Sequence, residues 1–357
     1  MNKILDKSEQ RIDYIDIAKG LGILTIIWGH VFLDGLSNAI VFSFHIPLFF
    51  FLSGLVFIRS RYDNFGAFFK KRVKSLLIPY TIFSVLTWLA WAVFSYVTQT
   101  PVESYWMPLL QTLIAQGSDG YMVHNVPLWF VLCLFFVEII YFFLSEMKDW
   151  VVILSCIVIC VVGVLSTKAT FYDFTTLPWS LDVAMMALPF YATGSLITKC
   201  FPHIKQAEIV KNHRLLSLLL FIIGVLVVYF GARYNGYVSM GHANLGRSSW
   251  VFFVAAFCGV TAVMISSIMI GQLTSRIVSW LKWIGRNSFR MMAVHNPVKG
   301  IVIVVLARIL HISKINMNSN NLHCFIIFTV TLLISNSVVS LIEWGLKKTL
   351  GRNSLLE

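Results

Sequence analysis

Apolar residues fill most of this chain in long runs, and short polar segments separate the runs. Ten runs are each near the ~20 residues that a helix needs to cross a bilayer. Because lipid offers the backbone no hydrogen-bond partners, runs of this length are expected to be helical. The pattern predicts an all-α fold, a polytopic membrane helix bundle of about ten transmembrane helices. The predicted spans cover residues 15–35, 39–58, 76–98, 126–145, 150–166, 182–199, 215–234, 248–271, 289–309 and 322–346.

Basic residues are concentrated in alternate polar segments. If the N-terminus is cytoplasmic, most of the 28 Lys and Arg residues fall on the cytoplasmic side, including a basic loop over 59–74. Short loops rich in Lys and Arg stay inside. The distribution predicts that both termini are cytoplasmic. The chain then divides into an N-terminal arm over 1–14, a transmembrane domain over 15–346 and a C-terminal tail over 347–357.

The composition supports a membrane protein and limits the classes of partner that we expect for it. The chain is 58% hydrophobic and 12% charged, with a mean hydropathy of +0.79, whereas soluble domains carry about 25% charged residues. The net charge of +12 is explained by cytoplasmic loops, so we predict the lipid bilayer as a partner and no nucleic acid. The six cysteines lie mostly in apolar runs and indicate neither a disulfide framework nor a metal site. No removable signal peptide is evident.

Ionisable residues interrupt the first predicted span. Lys19 and His30 are eleven positions apart, which puts them on nearly the same helix face, roughly 16 Å apart along the axis. Asp16 precedes Lys19 by three residues and shares that face. Charged groups inside a span usually face a cavity or a partner, so this face is a candidate active site. The alternative is an interfacial Asp16–Lys19 pair and a buried, hydrogen-bonded His30.

The second predicted span brings a second imidazole to the same side of the membrane. It begins near His45, places Pro47 in its first turn and carries Ser53 deeper. Since consecutive spans are antiparallel, His45 and His30 are both expected in the outer half of the bilayer. His45 is a candidate for catalysis or for substrate binding, and the alternative is a structural role at the helix interface.

Cytoplasmic basic residues and two buried ionisable residues complete the candidates. Arg72, Lys74 and Arg286 would form a basic rim suited to phosphates; the alternative is that they only obey the positive-inside bias. Glu138 and His295 lie within predicted spans, and a structural hydrogen bond is the default expectation for each.

Several short motifs, taken in order, resemble the acyltransferase-3 family of bacterial membrane proteins, which O-acetylate cell-surface sugars. The resemblance covers about residues 15–345. The motifs are Asp16 with Lys19-Gly20 and His30, Phe44-His45-Ile46-Pro47 through Ser53-Gly54, Lys71-Arg72 leading to Ile78-Pro79-Tyr80, Leu128-Trp129-Phe130, Pro189-Phe190-Tyr191 with Gly194, and Gly285-Arg286-Asn287-Ser288 with His295.

The resemblance implies an O-acyltransferase of the bacterial cytoplasmic membrane. Its expected donor is acyl-CoA, in particular acetyl-CoA, and its acceptor is a hydroxyl of a surface polysaccharide or of a lipid-linked precursor. The family's basic-residue-to-His pattern falls on Lys19 and His30. Arg is commoner at the first place, and Lys19 keeps the charge without the forked donor geometry. Many members carry a C-terminal soluble domain, and this chain resembles a stand-alone membrane member.

Acyl transfer requires a base for the acceptor hydroxyl and donors for the developing oxyanion. An imidazole, with an unperturbed pKa of about 6.5, is a suitable base. We therefore expect the following roles: His30 as general base, Lys19 as donor anchor held by Asp16, His45 and Ser53 completing the pocket, and Arg72, Lys74 and Arg286 binding the nucleotide phosphates.

Other functions fit the same pattern. Ten spans and buried charges fit a transporter or flippase for a polyprenyl-linked glycan or a small anion equally well, but such a protein would not cleave a thioester. A scaffold of an envelope assembly would tolerate replacement of Lys19 and His30. Direct transfer and an acyl-histidine intermediate both remain open, as do the acceptor, the acyl group and the oligomeric state.

Overall fold

The computed structural model describes residues 12–117, 120–167, 177–313, 317 and 320–350, and this part of the chain is 80% helical. It contains no strand, only an isolated bridge between Ser239 and Asn244. The all-α prediction is confirmed. The helices are α1 (Asp13–Val31), α2 (Gly35–Phe42), α3 (His45–Leu55), α4 (Phe65–Arg72), α5 (Ile78–Val97), α6 (Met107–Gln111), α7 (Trp129–Leu144), α8 (Asp149–Ser166), α9 (Leu181–Cys200), α10 (His203–Asn212), α11 (Arg214–Asn235), α12 (Ser249–Ile270), α13 (Arg276–Arg286), α14 (Ser288–Ile309) and α15 (Asn321–Leu350).

Nine helical stretches in the described residues are long and apolar enough to cross a membrane. They coincide with nine of the ten predicted spans. The tenth, the first in the chain, is the 19-residue helix α1. It is not among the nine because Asp16, Lys19 and His30 lower its mean hydropathy. The chain is therefore a multi-pass helix bundle, and α1, which carries Asp16, Lys19 and His30, is part of it.

Helix α1 is buried at the centre of the bundle, where it contacts α3, α12, α13, α14 and α15. Its approach to α13 is close enough to exclude side chains. A Cβ atom on Gly20 would overlap the Leu281 carbonyl, and one on Gly285 would overlap the Asp16 carbonyl. Two glycines therefore bring the backbones of α1 and α13 into contact, which fixes the depth of α1 in the bundle.

The second predicted span consists of two helices, because the chain breaks at Ser43 and Phe44 between α2 and α3. Asn38 of α2 holds the turn after α1: its Nδ2 donates to the carbonyl of Gly29 at 3.1 Å and to that of Phe32 at 2.7 Å. These bonds satisfy carbonyls at the C-terminal end of α1 that lack helical partners. The end of α1, next to His30, is thereby fixed against α2.

The prediction of a basic loop over 59–74 is wrong for the second half of that segment. Residues Phe65–Arg72 form α4, and a π-helical segment, Val73–Leu77, joins it to α5. The Asn64 side chain accepts a hydrogen bond from the Ala67 amide at 2.9 Å and caps the helix. Phe68 is fully buried and stacks on Phe142 at 4.5 Å. The basic residues indicated a loop, but this aromatic contact stabilises a helix.

Candidate active site

Four of the predicted site residues line one cavity of about 160 Å³ between α1, α3, α7 and α14. Lys19 and His30 come from α1, and His45 and Ser53 come from α3. The remaining wall is largely apolar. Its other residues are Ile23, Ile26, Ile46, Phe49, Leu76, Pro127, Trp129, Phe130, Val131, Leu134, Ser288, Phe289 and Met292.

The cavity follows a single face of α1. The residues that line it are Lys19, Ile23, Ile26 and His30, and their spacing of four, three and four residues is that of one helical stripe. The prediction that Lys19 and His30 share a face is confirmed. Eleven residues of helix rise roughly 16 Å, so the cavity is elongated along α1.

Helix α3 runs antiparallel to α1 and supplies the opposite wall. Contacts between the two helices fix their relative position along the helix axis. A Cβ on Gly22 would meet the ring of Phe49, and one on Gly29 would meet the ring of Phe42. At this register Ser53 lies near the level of Lys19, at the predicted cytoplasmic end. His45 lies towards His30, at the predicted outer end.

Three aromatic rings surround the outer end of the cavity. The Phe42 ring lies edge-on to both imidazoles, with its centroid 6.4 Å from that of His30 and 4.8 Å from that of His45. The Nδ1 atom of His45 lies 2.8 Å from the Val41 carbonyl. A carbonyl only accepts, so Nδ1 donates, and Nε2 keeps a lone pair. The imidazole of His30 has no hydrogen bond within the described part of the chain, which leaves its nitrogens available to a ligand.

A second basic cluster lies behind His30, on α14. The rings of His30 and His295 are 5.3 Å apart, and the Lys299 ammonium donates to the His30 carbonyl at 3.1 Å. His295 is fully buried, with Nδ1 at 2.8 Å from the Met292 carbonyl. The expected structural hydrogen bond of His295 is present, and its contact with His30 is additional.

Sequence reasoning did not select Lys299 as a site residue. The available signal was its spacing. Lys299 follows His295 by four residues on one helix, so the two side chains share a face. Only the packing of α14 against α1 places that face next to His30.

Asp16 and Arg286 do not line the cavity and instead bind each other. The Arg286 Nε atom lies 3.1 Å from Asp16 Oδ2, and Lys282 Nζ lies 2.6 Å from Asp13 Oδ2. Both ion pairs join α1 to α13 near the glycine contacts. Arg286 keeps 41% of its side chain exposed, so it remains open to a ligand on that side.

Arg72 and Lys74 are also outside the cavity wall. The Arg72 Nε atom is 2.9 Å from Glu138 Oε2, and only 17% and 4% of the two side chains are exposed. Arg72 Nη2 donates to the Tyr62 hydroxyl at 3.1 Å. Lys74 is exposed on the π-helical segment. The structure thus brings Lys19, His30, His45 and Ser53 together and places Asp16, Arg72, Lys74 and Arg286 elsewhere.

The size of the cavity restricts what it can hold. At about 160 Å³ it has room for about five water molecules, each occupying ~30 Å³. Sites for whole drug-sized ligands measure roughly 300–1,000 Å³. The cavity suits a small acyl group together with the group it reacts with. Among the described residues, no cluster of three His, Cys, Asp or Glu side chains is placed to hold a metal ion.

The comparison with protein families gives a match. The family model described as an acyltransferase domain matches residues 12–338. No curated protein and no solved structure matches the chain. The matched region contains every residue of the cavity wall.

Proposed function

The chain belongs to the acyltransferase-3 family and is a multi-pass membrane protein, and on this basis we propose that it moves an acetyl group from acetyl-CoA to a hydroxyl of a cell-surface polysaccharide or of its lipid-linked precursor. One observation supports this most strongly. His30, His45, Lys19 and Ser53, from two antiparallel helices, line a single cavity of acyl-group size.

The proposed reaction is direct transfer with His30 as general base. A nitrogen of His30 takes the proton of the acceptor hydroxyl as its oxygen attacks the thioester carbonyl carbon. The carbon–sulfur bond then breaks, and the imidazolium returns the proton to the leaving thiolate. The products are an O-acetyl ester and free CoA thiol. Nε2 of His45, which keeps its lone pair when Nδ1 donates to Val41, accepts a hydrogen bond from the acceptor.

The donor is proposed to enter from the cytoplasmic end. Lys19 lies at that end of the cavity and is one of its lining residues, so its ammonium is placed to bind a phosphate or a carbonyl of the CoA arm on the cytoplasmic side of the thioester. Lys74 and Arg286 keep exposed surface and suit the nucleotide phosphates. Arg72 is neutralised by Glu138, so we assign it to holding the π-helical segment that supplies Leu76 to the cavity wall.

The proposed location is the bacterial cytoplasmic membrane, with both chain termini inside. The distribution of Lys and Arg supports this orientation. It places acyl-CoA on the side where Lys19 lies and a glycan acceptor on the side where His30 lies. The long axis of the cavity then runs from donor to acceptor, which is the arrangement that transfer across the membrane requires.

The test is release of free thiol from acetyl-CoA by purified protein in the presence of host glycan. His30→Ala is expected to lower the rate about 10²–10⁴-fold, the usual contribution of a general base. His213→Ala, which changes an exposed imidazole, is the matched control and should retain the wild-type rate. Normal transfer by His30→Ala would refute the mechanism.

The other function classes give different results in the same assay. A transporter or flippase releases no thiol even as the wild-type protein. A scaffold tolerates replacement of both Lys19 and His30 without loss of envelope function. Mass analysis of surface glycans from a deletion strain then identifies the acceptor through the missing acetyl groups.

A further inference from the structure

A second, larger cavity lies at the predicted outer surface, beside the active-site cavity. It is an open cleft of about 790 Å³ between the turn after α1 and the C-terminal end of α11. This volume is within the roughly 300–1,000 Å³ of small-molecule sites. We call it the outer cleft. Its lining residues are Leu33, Asp34, Gly35, Leu36, Asn38, Ala39, Ala232, Arg233, Gly236 and Tyr237.

The outer cleft carries polar groups without protein partners. Asp34 and Arg233 are both exposed, and neither forms an ion pair within the described residues. Asn38 is only 2% exposed, and its Oδ1 atom has no hydrogen-bond partner. A buried amide oxygen without a partner costs free energy, and this atom lies just below the surface of the cleft.

Two glycines keep part of the cleft wall open. Gly35 and Gly236 have φ angles of +86° and +71°. L-residues that carry a side chain rarely adopt such backbone angles. A Cβ atom at either position would meet nothing within 4 Å. Packing therefore does not require these glycines. Their backbone turns shape the rim of the cleft and leave space for a ligand to approach the main chain.

One aromatic side chain stands between the outer cleft and the active-site cavity. The Phe42 ring centroid lies 6.1 Å from that of Tyr237, a cleft residue, and within 6.4 Å of those of His30 and His45. Phe42 is the last residue of α2, directly before the helix break at Ser43 and Phe44. The Phe42 ring therefore separates the two cavities next to a break in the helix.

Asn38 joins the same two sites through the backbone. Its Nδ2 atom holds the carbonyls of Gly29 and Phe32, on either side of His30 in the chain, and its Oδ1 atom belongs to a side chain that lines the cleft. A ligand that fills the cleft would therefore pack against the side chain that holds the segment next to His30.

From this arrangement we infer that the outer cleft binds the sugar unit whose hydroxyl is acylated, with Phe42 as the barrier that the reacting hydroxyl must pass. The inference rests on the proposed function. The exposed carboxylate of Asp34 and guanidinium of Arg233 match the donors and acceptors of sugar hydroxyls. The exposed ring of Tyr237 offers an apolar surface with a polar tip, suited to the face of a sugar ring.

The transfer step is unchanged by this assignment. The sugar hydroxyl passes Phe42, loses its proton to His30 and forms the ester bond as the carbon–sulfur bond of the donor breaks. The leaving thiolate takes the proton. The cleft supplies only binding and orientation, so its residues are expected to affect the acceptor and not the donor.

The test blocks the cleft in protein that is already folded. Tyr237→Cys is prepared in membranes that contain the host glycan and is modified from outside with a bulky, membrane-impermeant maleimide. Arg308→Cys, at the exposed outer end of α14, is the matched control. Incorporation of labelled acetyl from acetyl-CoA is measured before and after modification, together with the KM for acetyl-CoA.

Modification of Tyr237→Cys is expected to lower acetyl incorporation at least about tenfold, with an unchanged KM for acetyl-CoA, and modification of Arg308→Cys should have no effect. Asp34→Asn and Arg233→Gln should each lower incorporation about tenfold at limiting glycan, as for loss of a charged hydrogen bond. Arg308→Gln should match the wild type.

Two results would overturn the inference, and they are distinguishable. If the wild type is active and modified Tyr237→Cys keeps full incorporation, the cleft does not bind the acceptor; a phospholipid in the cleft would give this result. If the wild type incorporates no acetyl at all, the proposed function fails, and this inference fails with it.

Discussion

The imidazole rings of His30 and His295 lie 5.3 Å apart with a 43° tilt, although one belongs to the first helix and the other to α14. His295 is fully buried behind His30 and is held by its Nδ1 contacts to the Met291 and Met292 carbonyls. The candidate base therefore packs against a rigid second imidazole. From this contact we predict that His295 positions His30.

His295→Ala is expected to lower kcat about 100-fold, because a displacement of about 1 Å in a catalytic group has an effect of this size. The KM for acetyl-CoA should change little, since His295 does not line the cavity. Steady-state thiol release measures both constants. A thermal melt of the same sample controls for unfolding. A folded His295→Ala protein with wild-type kcat would exclude the positioning role.

The buried Arg72–Glu138 ion pair is expected to be structural. Glu138→Ala leaves a buried guanidinium unpaired, which costs about 3–5 kcal/mol. The exposed Arg59–Glu146 pair is the matched control, and Glu146→Ala should cost about 0–1 kcal/mol. Thermal unfolding in detergent measures both losses.

The double variant Arg72→Met with Glu138→Leu distinguishes a structural pair from a donor-binding arginine. It is expected to recover most of the stability lost in Glu138→Ala, because neither side chain is then charged. Equal stabilities for Glu138→Ala and Glu146→Ala would contradict the structural role.

Ser53 tests whether the cavity is the reaction site. Its hydroxyl donates to the Phe49 carbonyl of its own helix at 2.8 Å, so Ser53→Ala should keep the rate within about tenfold of wild type. Ser53→Phe places a ring in a cavity of about 160 Å³ and should abolish thiol release. If Ser53→Phe is folded and fully active, the reaction occurs elsewhere.

His124 is expected to make stability depend on pH. It precedes the span that begins at Val126, and burial lowers its pKa to about 4. The folded state therefore holds a neutral imidazole, while the unfolded state titrates near 6.5. The stabilisation is fully present above about pH 6.5 and is lost as the pH falls from 6.5 to 4, by up to about 3 kcal/mol.

His124→Gln removes this titration, so its denaturation midpoint should fall less between pH 7.5 and pH 5 than that of the wild type. Every other ionisable residue is the same in both proteins, and the difference between the two pH dependences isolates His124. Identical pH dependences would show that His124 is not buried as a neutral group.

The sequence alone predicted the helices and one face of the site. The spans predicted at 248–271 and 289–309 agree with α12 and α14 to within one residue at each end. The shared face of Lys19 and His30 was also predicted. Both results depend only on local properties, because the length of an apolar run and the helical repeat can be read from consecutive residues.

The tertiary structure decided which charges meet. Asp16 pairs with Arg286, Arg72 with Glu138, and Lys299 reaches the His30 carbonyl. Each contact joins residues that are distant in sequence, and each depends on how two helices are rotated and how deeply they are packed. Gly20 and Gly285 set the packing between α1 and α13. Because glycine has no side chain, the sequence gives no sign of which residues they contact.

The outer cleft is the feature that the sequence predicts least. Asp34 and Gly35 follow α1, whereas Arg233 and Gly236 lie at the end of α11, and no periodic pattern connects them. The sequence determined that this chain crosses the membrane and carries Lys19 and His30 on one helix face, because those properties are local. Only packing determined that His45, Phe42 and His295 surround His30, because a cavity is formed by helices that the chain brings together after it folds.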